Sequence, residues 1–270
     1  MYYQKRVLAY FDILGFSNKI LNTIDKNTRE EIESKTKKIN NLFENVQELK
    51  NKHKHTENNI ESSRKVSHFS DSVAISYLLE EEAGIFNILT DILFFCISIL
   101  QDGYLIRGAI TSGELHHSDN KLFGPAIVYA SDMEKKIAFY PRIVFEKKII
   151  DIAEKYPAKW PSKSVQMNAL KKLIQKDFDG LYCLNYFDSI DYIFGATGGL
   201  LVYLKTFRNI IIELQEKTNN DISIKSKYLW LKEKYNEALK KFKSKYLKEK
   251  IKNECHGLYD FLINEGDFSE

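Results

Sequence analysis

Short apolar runs and helical stripes alternate along the first half of the chain. The run at residues 6–12 is mostly apolar, which is typical of a central strand that is covered on both faces. Residues 65–69 and 73–77 predict two more strands, and a tight turn at Ser70-Asp71-Ser72 joins them as a hairpin. Apolar residues spaced three or four apart predict helices over about 28–50, 83–100 and 126–138.

The elements that follow complete the order of strands and helices in the first half of the chain. Residues 104–111 predict a strand, Asp119-Asn120 predicts a hairpin turn, and residues 140–145 predict another strand. The order is strand, helix, strand, strand, helix, strand, helix, strand. It predicts a ferredoxin-like α+β sandwich, with one sheet and helices on one of its faces. We expect this core to occupy residues 1–150, with a polar loop at 53–63.

Beyond residue 150 the pattern becomes mostly helical. Residues 180–186 predict an edge strand, and two long apolar stripes predict helices over about 196–217 and 224–250. We interpret the two helices as an antiparallel hairpin. Residues 151–270 are then a mostly helical C-terminal extension that packs on the core.

Composition narrows the class of protein. The chain has 270 residues, of which 44% are hydrophobic and 13% aromatic, which suits one sizeable core and argues against disorder. The longest apolar segment, 84–100, is too short and too polar to span a bilayer, so we expect a cytoplasmic protein without a membrane partner. Cys96, Cys183 and Cys255 stand far apart without a C-x-x-C pair, which favours a reducing compartment.

Positive charge is concentrated near the end of the chain. The net charge of +3 implies by itself no nucleic-acid partner, although residues 225–252 hold eleven lysines against three glutamates. The apolar stripe from Tyr228 to Tyr246 predicts a helix that is docked on one side and solvated on the other. RNA binding by this helix is the alternative, and it predicts a steeply salt-dependent affinity.

The first strand ends in a carboxylate, Asp12, shortly before a glycine at Gly15. A glycine turn of this kind presents backbone N–H groups to an anion, and the N-terminus of the next helix adds positive potential. Ser17 is placed to cap that helix. An Asp beside the turn can hold a divalent cation that bridges to the same anion, although a helix cap is the alternative for Asp12 alone.

Asp71 adds a second carboxylate at the tip of the 65–77 hairpin. We expect this hairpin to pair beside the first strand and so to bring Asp71 close to Asp12. Two aspartates with open coordination positions suit Mg²⁺ or Mn²⁺. Two such metals, roughly 4 Å apart, can activate an attacking hydroxyl and stabilise a leaving phosphate. A simple turn aspartate is the alternative.

Four segments together resemble the class III adenylate and guanylate cyclases. They are Phe11-Asp12-Ile13-Leu14-Gly15-Phe16, Phe69-Ser70-Asp71-Ser72, residues 107–114 and residues 122–126, and they follow the order of that family within residues 6–145. The resemblance implies a head-to-tail homodimer, in which each composite site takes residues from both subunits.

The same resemblance implies roles for individual residues. Asp12 and Asp71 would bind two Mn²⁺ or Mg²⁺ ions per site with help from the Ile13 carbonyl. The triphosphate of a nucleoside triphosphate would be held by Leu14, Gly15, Phe16 and Ser17. The ribose 3′-oxygen would then attack the α-phosphate and expel pyrophosphate.

Several positions depart from that family. Ser67 stands four residues before Asp71, where these cyclases select the base with Lys or Glu. Lys121 stands at the second selecting position, where Asp or Cys is expected. Val128 and Asp132 replace the Asn and Arg that stabilise the transition state, so a basic group must come from elsewhere.

Two arginines are candidates for that catalytic group, Arg107 and Arg142. For Arg107 a structural role, in which it joins strands by salt bridges, is an equal alternative.

With these departures the chain is most similar to the pyrimidine cyclases of Pycsar antiphage systems, on segments 9–17, 69–72 and 134–142. The resemblance reaches residues 179–182 and the helical tail. It implies conversion of UTP or CTP to the cyclic nucleotide, which activates a separate effector in antiviral defence. We favour UTP because uracil offers two carbonyl acceptors to cationic donors. The alternative is a catalytically degenerate cyclase-like domain that binds a nucleotide or a protein partner.

Two further motifs have simpler interpretations. His116 and His117 beside Asp119 suggest a polar hairpin turn rather than a metal site, because no further ligands stand at a suitable spacing. The glycine-rich stretch at 195–199 lacks the Lys and Ser/Thr of a P-loop, so it predicts a helix start with close packing.

Overall fold

The structure, a computed structural model, describes residues 2–24, 28–51, 62–159, 162–218, 221–247, 249–265 and 267–268. Residues 53–61 of the predicted polar loop lie outside the described residues. The chain forms two compact units, Met1–Leu184 and Asn185–Glu270.

The first unit alternates strands and helices. Its strands are β1 (Gln4–Ile13), β2 (Lys65–Phe69), β3 (Ser72–Leu78), β4 (Ile106–Ser118), β5 (Lys121–Phe123), β6 (Ile143–Phe145), β7 (Ile174–Lys176) and β8 (Tyr182–Leu184). Its helices are α1 (Phe16–Leu21), α2 (Arg29–Asn51), α3 (Gly84–Leu100), α4 (Pro125–Lys136), α5 (Lys147–Lys155) and α6 (Lys163–Leu173). The three helices that the apolar stripes predict in the core, α2, α3 and α4, are confirmed.

One mixed sheet forms the centre of this unit. Its strands lie in the order β2-β3-β1-β4-β6-β8-β7, and β5 pairs with β4. Strands β2, β3, β1 and β4 pair antiparallel, which is the strand order of a ferredoxin-like sheet. The predicted α+β fold is therefore confirmed by the topology.

The side chains of β1 alternate between two covered faces. Phe11 packs against Phe95 of α3 with ring centroids 5.6 Å apart, whereas Leu8 lies in a buried cluster with Ala126 and Ala130 of α4. Leu8 and Phe11 are three residues apart in the strand, so they point to opposite faces. The prediction of helices on one face was wrong, because an apolar strand needs cover for both sets of side chains.

The last strand of the sheet is one that the sequence did not predict. Residues 180–186 are predicted as the edge strand, but β8 lies between β6 and β7. Ile174 pairs with Leu184 and Lys176 pairs with Tyr182, so the three-residue strand β7 forms the edge. A strand this short holds too few residues for an alternating pattern to be recognised.

The second unit is helical over its described residues. Its helices are α7 (Ile190–Phe194), α8 (Gly198–Glu216), α9 (Ile222–Tyr246), α10 (Glu249–Glu254) and α11 (His256–Asn264). Phe187 packs between Phe207 of α8 and Trp230 of α9, with ring centroids 4.8 and 6.1 Å away. Helices α8 and α9 are the two long helices predicted for this region.

The basic helix α9 pairs part of its charge within its own unit. Lys241 contacts Asp188, and Lys245 contacts Asp191 at 2.5 Å. Its apolar stripe is buried, as at Leu231. The prediction of a helix that is docked on one side and solvated on the other is confirmed.

None of the helices within the described ranges combines the length and the apolar character that crossing a bilayer requires. All three cysteines are free thiols.

Candidate active site

Asp12 and Asp71 come together where β1 ends. The Ile13 amide donates to the backbone carbonyl of Asp71 at 2.9 Å, which ties the hairpin tip to the end of the strand. The Asp12 and Asp71 side chains are close enough to share a hydrogen bond. Ser70 at the same tip has a φ of 55°, a left-handed conformation that is strained for a residue other than glycine.

Asp12 lies in surroundings that disfavour its charge. Burial, then the negative charges of Asp71 and Glu134, raise the pKa of Asp12 to about 7, and Arg107 opposes them. Two neighbouring carboxylates of this kind fit a divalent cation, and oxygen ligands are what Mg²⁺ and Mn²⁺ prefer. The described residues contain no group of three or more His, Cys, Asp or Glu that could hold a metal. Phosphate or backbone oxygens would therefore have to complete the coordination.

Arg107 lies opposite Asp12 in the pairing of β1 with β4. Its Nη2 atom is 2.8 Å from Oε1 of Glu134 on α4 and 4.0 Å from Oδ2 of Asp12. The Glu134 side chain is 4% exposed, so the carboxylate of this ion pair is buried, whereas the Arg107 side chain is 24% exposed. Sequence reasoning missed Glu134 as a site residue. Its spacing of four and eight residues from Ala130 and Ala126, on the buried side of α4, is the signal that points to it.

Strands β1 and β4 approach each other closely at Gly108, next to Arg107. A Cβ atom at Gly108 would lie 2.3 Å from the carbonyl oxygen of Tyr10 and 2.4 Å from the Cβ of Phe11. Only glycine fits there, and the close approach sets the separation between the strand that carries Asp12 and the strand that carries Arg107.

The turn after β1 offers backbone amides. Gly15 has a φ of 71°, which favours glycine, and it is the N-cap of α1. The amides of Phe16 and Ser17 stand in the first turn, where no carbonyl precedes them in the helix. The Leu14 amide already donates to the Leu105 carbonyl at 2.8 Å. The prediction that Ser17 caps the helix was wrong, because the helix begins one residue earlier.

Ser67 lies on the same sheet face as Asp12. It pairs with Ala74, which pairs with Tyr10, two residues before Asp12. Every second residue of a strand shares a face, so Ser67, Tyr10 and Asp12 point the same way. Strand spacing of about 4.8 Å and a rise of about 3.4 Å per residue place Ser67 about 12 Å from Asp12.

The end of β4 curls over this face and brings His117 to Ser67. The Nε2 atom of His117 lies 2.9 Å from Ser67 Oγ, and its Nδ1 atom lies 2.7 Å from Ser76 Oγ. Strands β3 and β1 separate β2 from β4 within the sheet, so these contacts require the curl. His117 is 5% exposed, and its interpretation as a polar turn residue was wrong. A contact between residues 50 positions apart leaves no local signal in the sequence.

Lys121 stands at the tip of the hairpin formed by β4 and β5. It pairs with Ser118 and is exposed, which confirms the predicted turn at Asp119-Asn120. Asp119 contacts Lys65 of β2 at 3.1 Å, a second link between this hairpin and the far side of the sheet.

Arg142 forms ion pairs with two aspartates. Its guanidinium contacts Asp177 at 2.5 Å and also binds Asp179, and its side chain is 1% exposed. Both carboxylates lie in the segment that joins β7 to β8, so the arginine links this segment to the start of β6. Pairing with two carboxylates argues against the catalytic role that the sequence predicts for Arg142.

Val128 and Asp132 lie on the exposed side of α4. Val128 is 60% exposed, and Asp132 contacts Lys136 at 2.9 Å on the helix surface. Neither side chain points to the buried side of α4 that carries Glu134.

The structure thus brings Asp12, Asp71, Arg107 and the amides after Gly15 to one end of the sheet face, with Ser67 further along it. Arg142 is engaged elsewhere.

No protein-family model matches the chain, and no curated protein matches it. Several solved structures are similar to it, and two of them follow. The catalytic core of a rhodopsin-guanylyl cyclase with converted specificity, in complex with ATPαS, matches with a TM-score of 0.34 at 13% identity, over 57% of this chain and 82% of that one. A class III adenylyl cyclase-like ATP-binding protein from Pseudomonas aeruginosa matches with a TM-score of 0.41 at 13% identity, over 71% of this chain and 40% of that one. Scores and identities this low establish no family membership.

Proposed function

We propose that the chain is a metal-dependent nucleotide cyclase of the class III type that acts on a pyrimidine nucleoside triphosphate. The observation that carries the proposal is the Asp12–Asp71 pair. It stands at the start of a glycine turn and a helix, with an arginine 4.0 Å from Asp12. Two carboxylates beside an anion-binding turn suit a metal–triphosphate complex.

Asp12 and Asp71 would hold the Mn²⁺ or Mg²⁺ ions, two per site, with the Ile13 carbonyl as a further ligand. Bound there, the metals would supply activation of the ribose 3′-hydroxyl and neutralisation of the phosphate charge. The amides of Gly15, Phe16 and Ser17 would donate to the phosphate oxygens.

Arg107 is the cation that replaces the missing transition-state arginine. The reaction forms a bond between the 3′-oxygen and the α-phosphorus, breaks the bond to the β-phosphate, and releases pyrophosphate and one proton. Negative charge grows on the phosphoryl oxygens as the α,β bond breaks, and a guanidinium held beside Asp12 stabilises it.

A pyrimidine base, with UTP favoured over CTP, fits the positions that select the base. Ser67 is small and neutral where purine cyclases carry Lys or Glu, and Lys121 stands where they carry Asp or Cys. The cyclic product would act as a second messenger on a separate effector in antiviral defence, as in Pycsar systems.

The functional unit is a homodimer with composite sites. Helix α4 exposes Val128 and Tyr129, which are 60% and 62% accessible, and neighbouring apolar side chains of this kind favour association. In that dimer the outer side of α4 would approach the site of the partner subunit.

Incubation of the purified protein with ATP, GTP, CTP and UTP in turn, with Mn²⁺, tests the proposal. We expect cyclic UMP and pyrophosphate to form fastest from UTP, and the Asp12→Ala, Asp71→Ala double variant to form neither. Absence of any cyclic product, or full activity in the double variant, would overturn it.

A catalytically degenerate cyclase-like domain is the second candidate. The loss of Asn and Arg at Val128 and Asp132 favours it. Thermal stabilisation of the protein by a nucleoside triphosphate, without release of pyrophosphate over hours, would identify a binding domain of this kind.

A further inference from the structure

A chain of four buried polar side chains runs across the sheet face that carries Asp12. Nε of Arg6 donates to Ser76 Oγ at 2.8 Å, Ser76 Oγ lies 2.7 Å from His117 Nδ1, and His117 Nε2 lies 2.9 Å from Ser67 Oγ. All four residues are buried, and Ser76 is 0% exposed. Ser76 therefore has no contact with bulk solvent.

Arg6 determines the direction of every hydrogen bond in this chain. A guanidinium only donates, so Ser76 Oγ accepts from Arg6, and the Ser76 proton needs a separate acceptor. Among the described residues, Nδ1 of His117 is the acceptor that Ser76 Oγ reaches. Nδ1 is therefore the unprotonated nitrogen, and the Nε2–H group of His117 donates to Ser67 Oγ.

The surroundings of His117 support this arrangement, because they keep the imidazole neutral. Burial, followed by the positive charges of Arg6 and Lys65, lowers the pKa of His117 to about 3. A neutral ring carries one N–H group and one acceptor nitrogen. Ser67 therefore receives a hydrogen bond from His117 and keeps its own O–H group to donate.

We propose that His117 is a specificity-determining positioning residue, which makes the Ser67 hydroxyl a hydrogen-bond donor to the O4 carbonyl oxygen of the nucleotide base. The inference rests on the proposed function and names the base as uracil. Where uracil carries the O4 carbonyl, cytosine carries an amino group. A buried hydroxyl that faces an amino group has no acceptor for its proton, and the unpaired donor weakens binding.

The position of Ser67 suits this contact. It lies on the same face as Asp12, about 12 Å away by the spacing of strands and residues, which leaves room for the ribose and α-phosphate between the two. The base would thus meet a hydroxyl whose direction is already determined, without the entropy loss of ordering a free side chain.

Equilibrium binding of the α,β-methylene analogues of UTP and CTP with Mn²⁺ tests the inference, because the bridging carbon prevents loss of pyrophosphate. Isothermal titration calorimetry would compare the native protein with Ser67→Ala, His117→Phe and Ser76→Ala. Ser76→Ala removes the hydroxyl that orients His117 and that accepts from Arg6 Nε, while the imidazole itself stays in place, so it tests the role of His117 if His117→Phe fails to fold. The matched control is His116→Phe, because the His116 ring packs against Phe123, with centroids 4.9 Å apart, outside the polar chain.

We expect the native protein to bind the UTP analogue about tenfold more tightly than the CTP analogue, the effect of one well-placed hydrogen bond. Ser67→Ala, His117→Phe and Ser76→Ala should each reduce that ratio several-fold, and His116→Phe should preserve it. An unchanged ratio in the first three variants, or a native preference for CTP, would overturn the inference and leave the cyclase proposal standing. If neither analogue binds the native protein, both fail.

Discussion

Arg107 makes its close ion pair with Glu134, at 2.8 Å, and lies further from Asp12, at 4.0 Å. The two carboxylates therefore share the Nη2 atom of one guanidinium. Glu134 holds the arginine in place, and Asp12 remains only partly neutralised. The remaining negative charge of Asp12 could be balanced by a second cation. A phosphate bound to that cation would then lie beside Arg107.

The first prediction concerns Arg107 itself. Arg107→Ala should lower kcat for cyclic UMP formation about a hundredfold, because removal of one preorganised charge partner of a transition state has an effect of this size. Initial rates with UTP and Mn²⁺ measure it. Lys241→Ala is a matched loss of positive charge in the second unit, and it should leave the rate unchanged. Equal rates in native protein and Arg107→Ala would contradict a catalytic role.

The second prediction is a pH dependence of metal binding. Asp12 has a pKa of about 7 in the folded protein and must lose its proton to bind a cation. The affinity for Mn²⁺ should therefore rise with pH up to about 7 and then level off. Titration of bound Mn²⁺ by electron paramagnetic resonance between pH 5 and 9 measures it, with Asp12→Asn as the control that removes tight binding. A flat affinity across this range would contradict the prediction.

The third prediction is a stability effect of the same carboxyl. The unfolded chain ionises Asp12 near its ordinary pKa of 3.8, whereas the folded chain keeps the proton up to about pH 7. The folded state binds more protons in this interval, so without metal the free energy of unfolding should fall as the pH rises through it. Urea denaturation from about pH 4 to pH 7 measures the change. In Asp12→Asn the fall should be smaller, and an identical fall would contradict the assignment to Asp12.

The fourth prediction concerns Gly108. Gly108→Ala should destabilise the protein by about 1–3 kcal/mol, because the added methyl group would overlap the backbone of β1. Gly113→Ala in the same strand is the matched control, since its Cβ would meet Ala126 at an ordinary 3.5 Å. Chemical denaturation compares the two variants. Equal stabilities would show that β1 and β4 can separate at this point.

The fifth prediction separates a structural from a catalytic Arg142. Arg142→Met should lower stability by about 3–5 kcal/mol, because it removes the buried guanidinium that pairs with the carboxylates of Asp177 and Asp179. Arg29→Met breaks an exposed pair with Glu33 and should cost less than about 1 kcal/mol. Thermal denaturation measures both. If the Arg142→Met variant keeps its stability but loses activity, Arg142 has a catalytic role and not a structural one.

The sequence predicted what local patterns encode. The stripes of α2 and α3 and the hairpin at Ser70-Asp71 follow from short-range periodicity and turn chemistry. The meeting of Asp12 with Asp71 followed from the expectation that this hairpin pairs beside the first strand. The apolar run at 6–12 predicted a strand that is covered on both faces, but it did not show which helices cover each face, because a fully apolar strand does not distinguish its two sides.

Two contacts that the sequence did not predict have a different cause. His117 reaches Ser67 only because β4 curls, and Arg142 finds Asp177 35 residues away. The curl of β4 and the long-range ion pairs form only in the assembled sheet. In the sequence, the residues that make these contacts look like ordinary polar residues in a turn or a loop.

The curl of β4 also bears on how such a protein can diversify. Pairing of β1 with β4 ends at Gln4 and Leu115. His117 therefore lies in the part of the β4–β5 hairpin that extends beyond this pairing, whereas Asp12 lies within the paired strands. Insertions or substitutions near Asp119-Asn120 would change the orientation of the His117 imidazole and leave the positions of Asp12 and Asp71 unchanged. Under the proposed function, descendants of this chain could exchange one pyrimidine messenger for another through changes in a surface hairpin, while their metal chemistry stays constant.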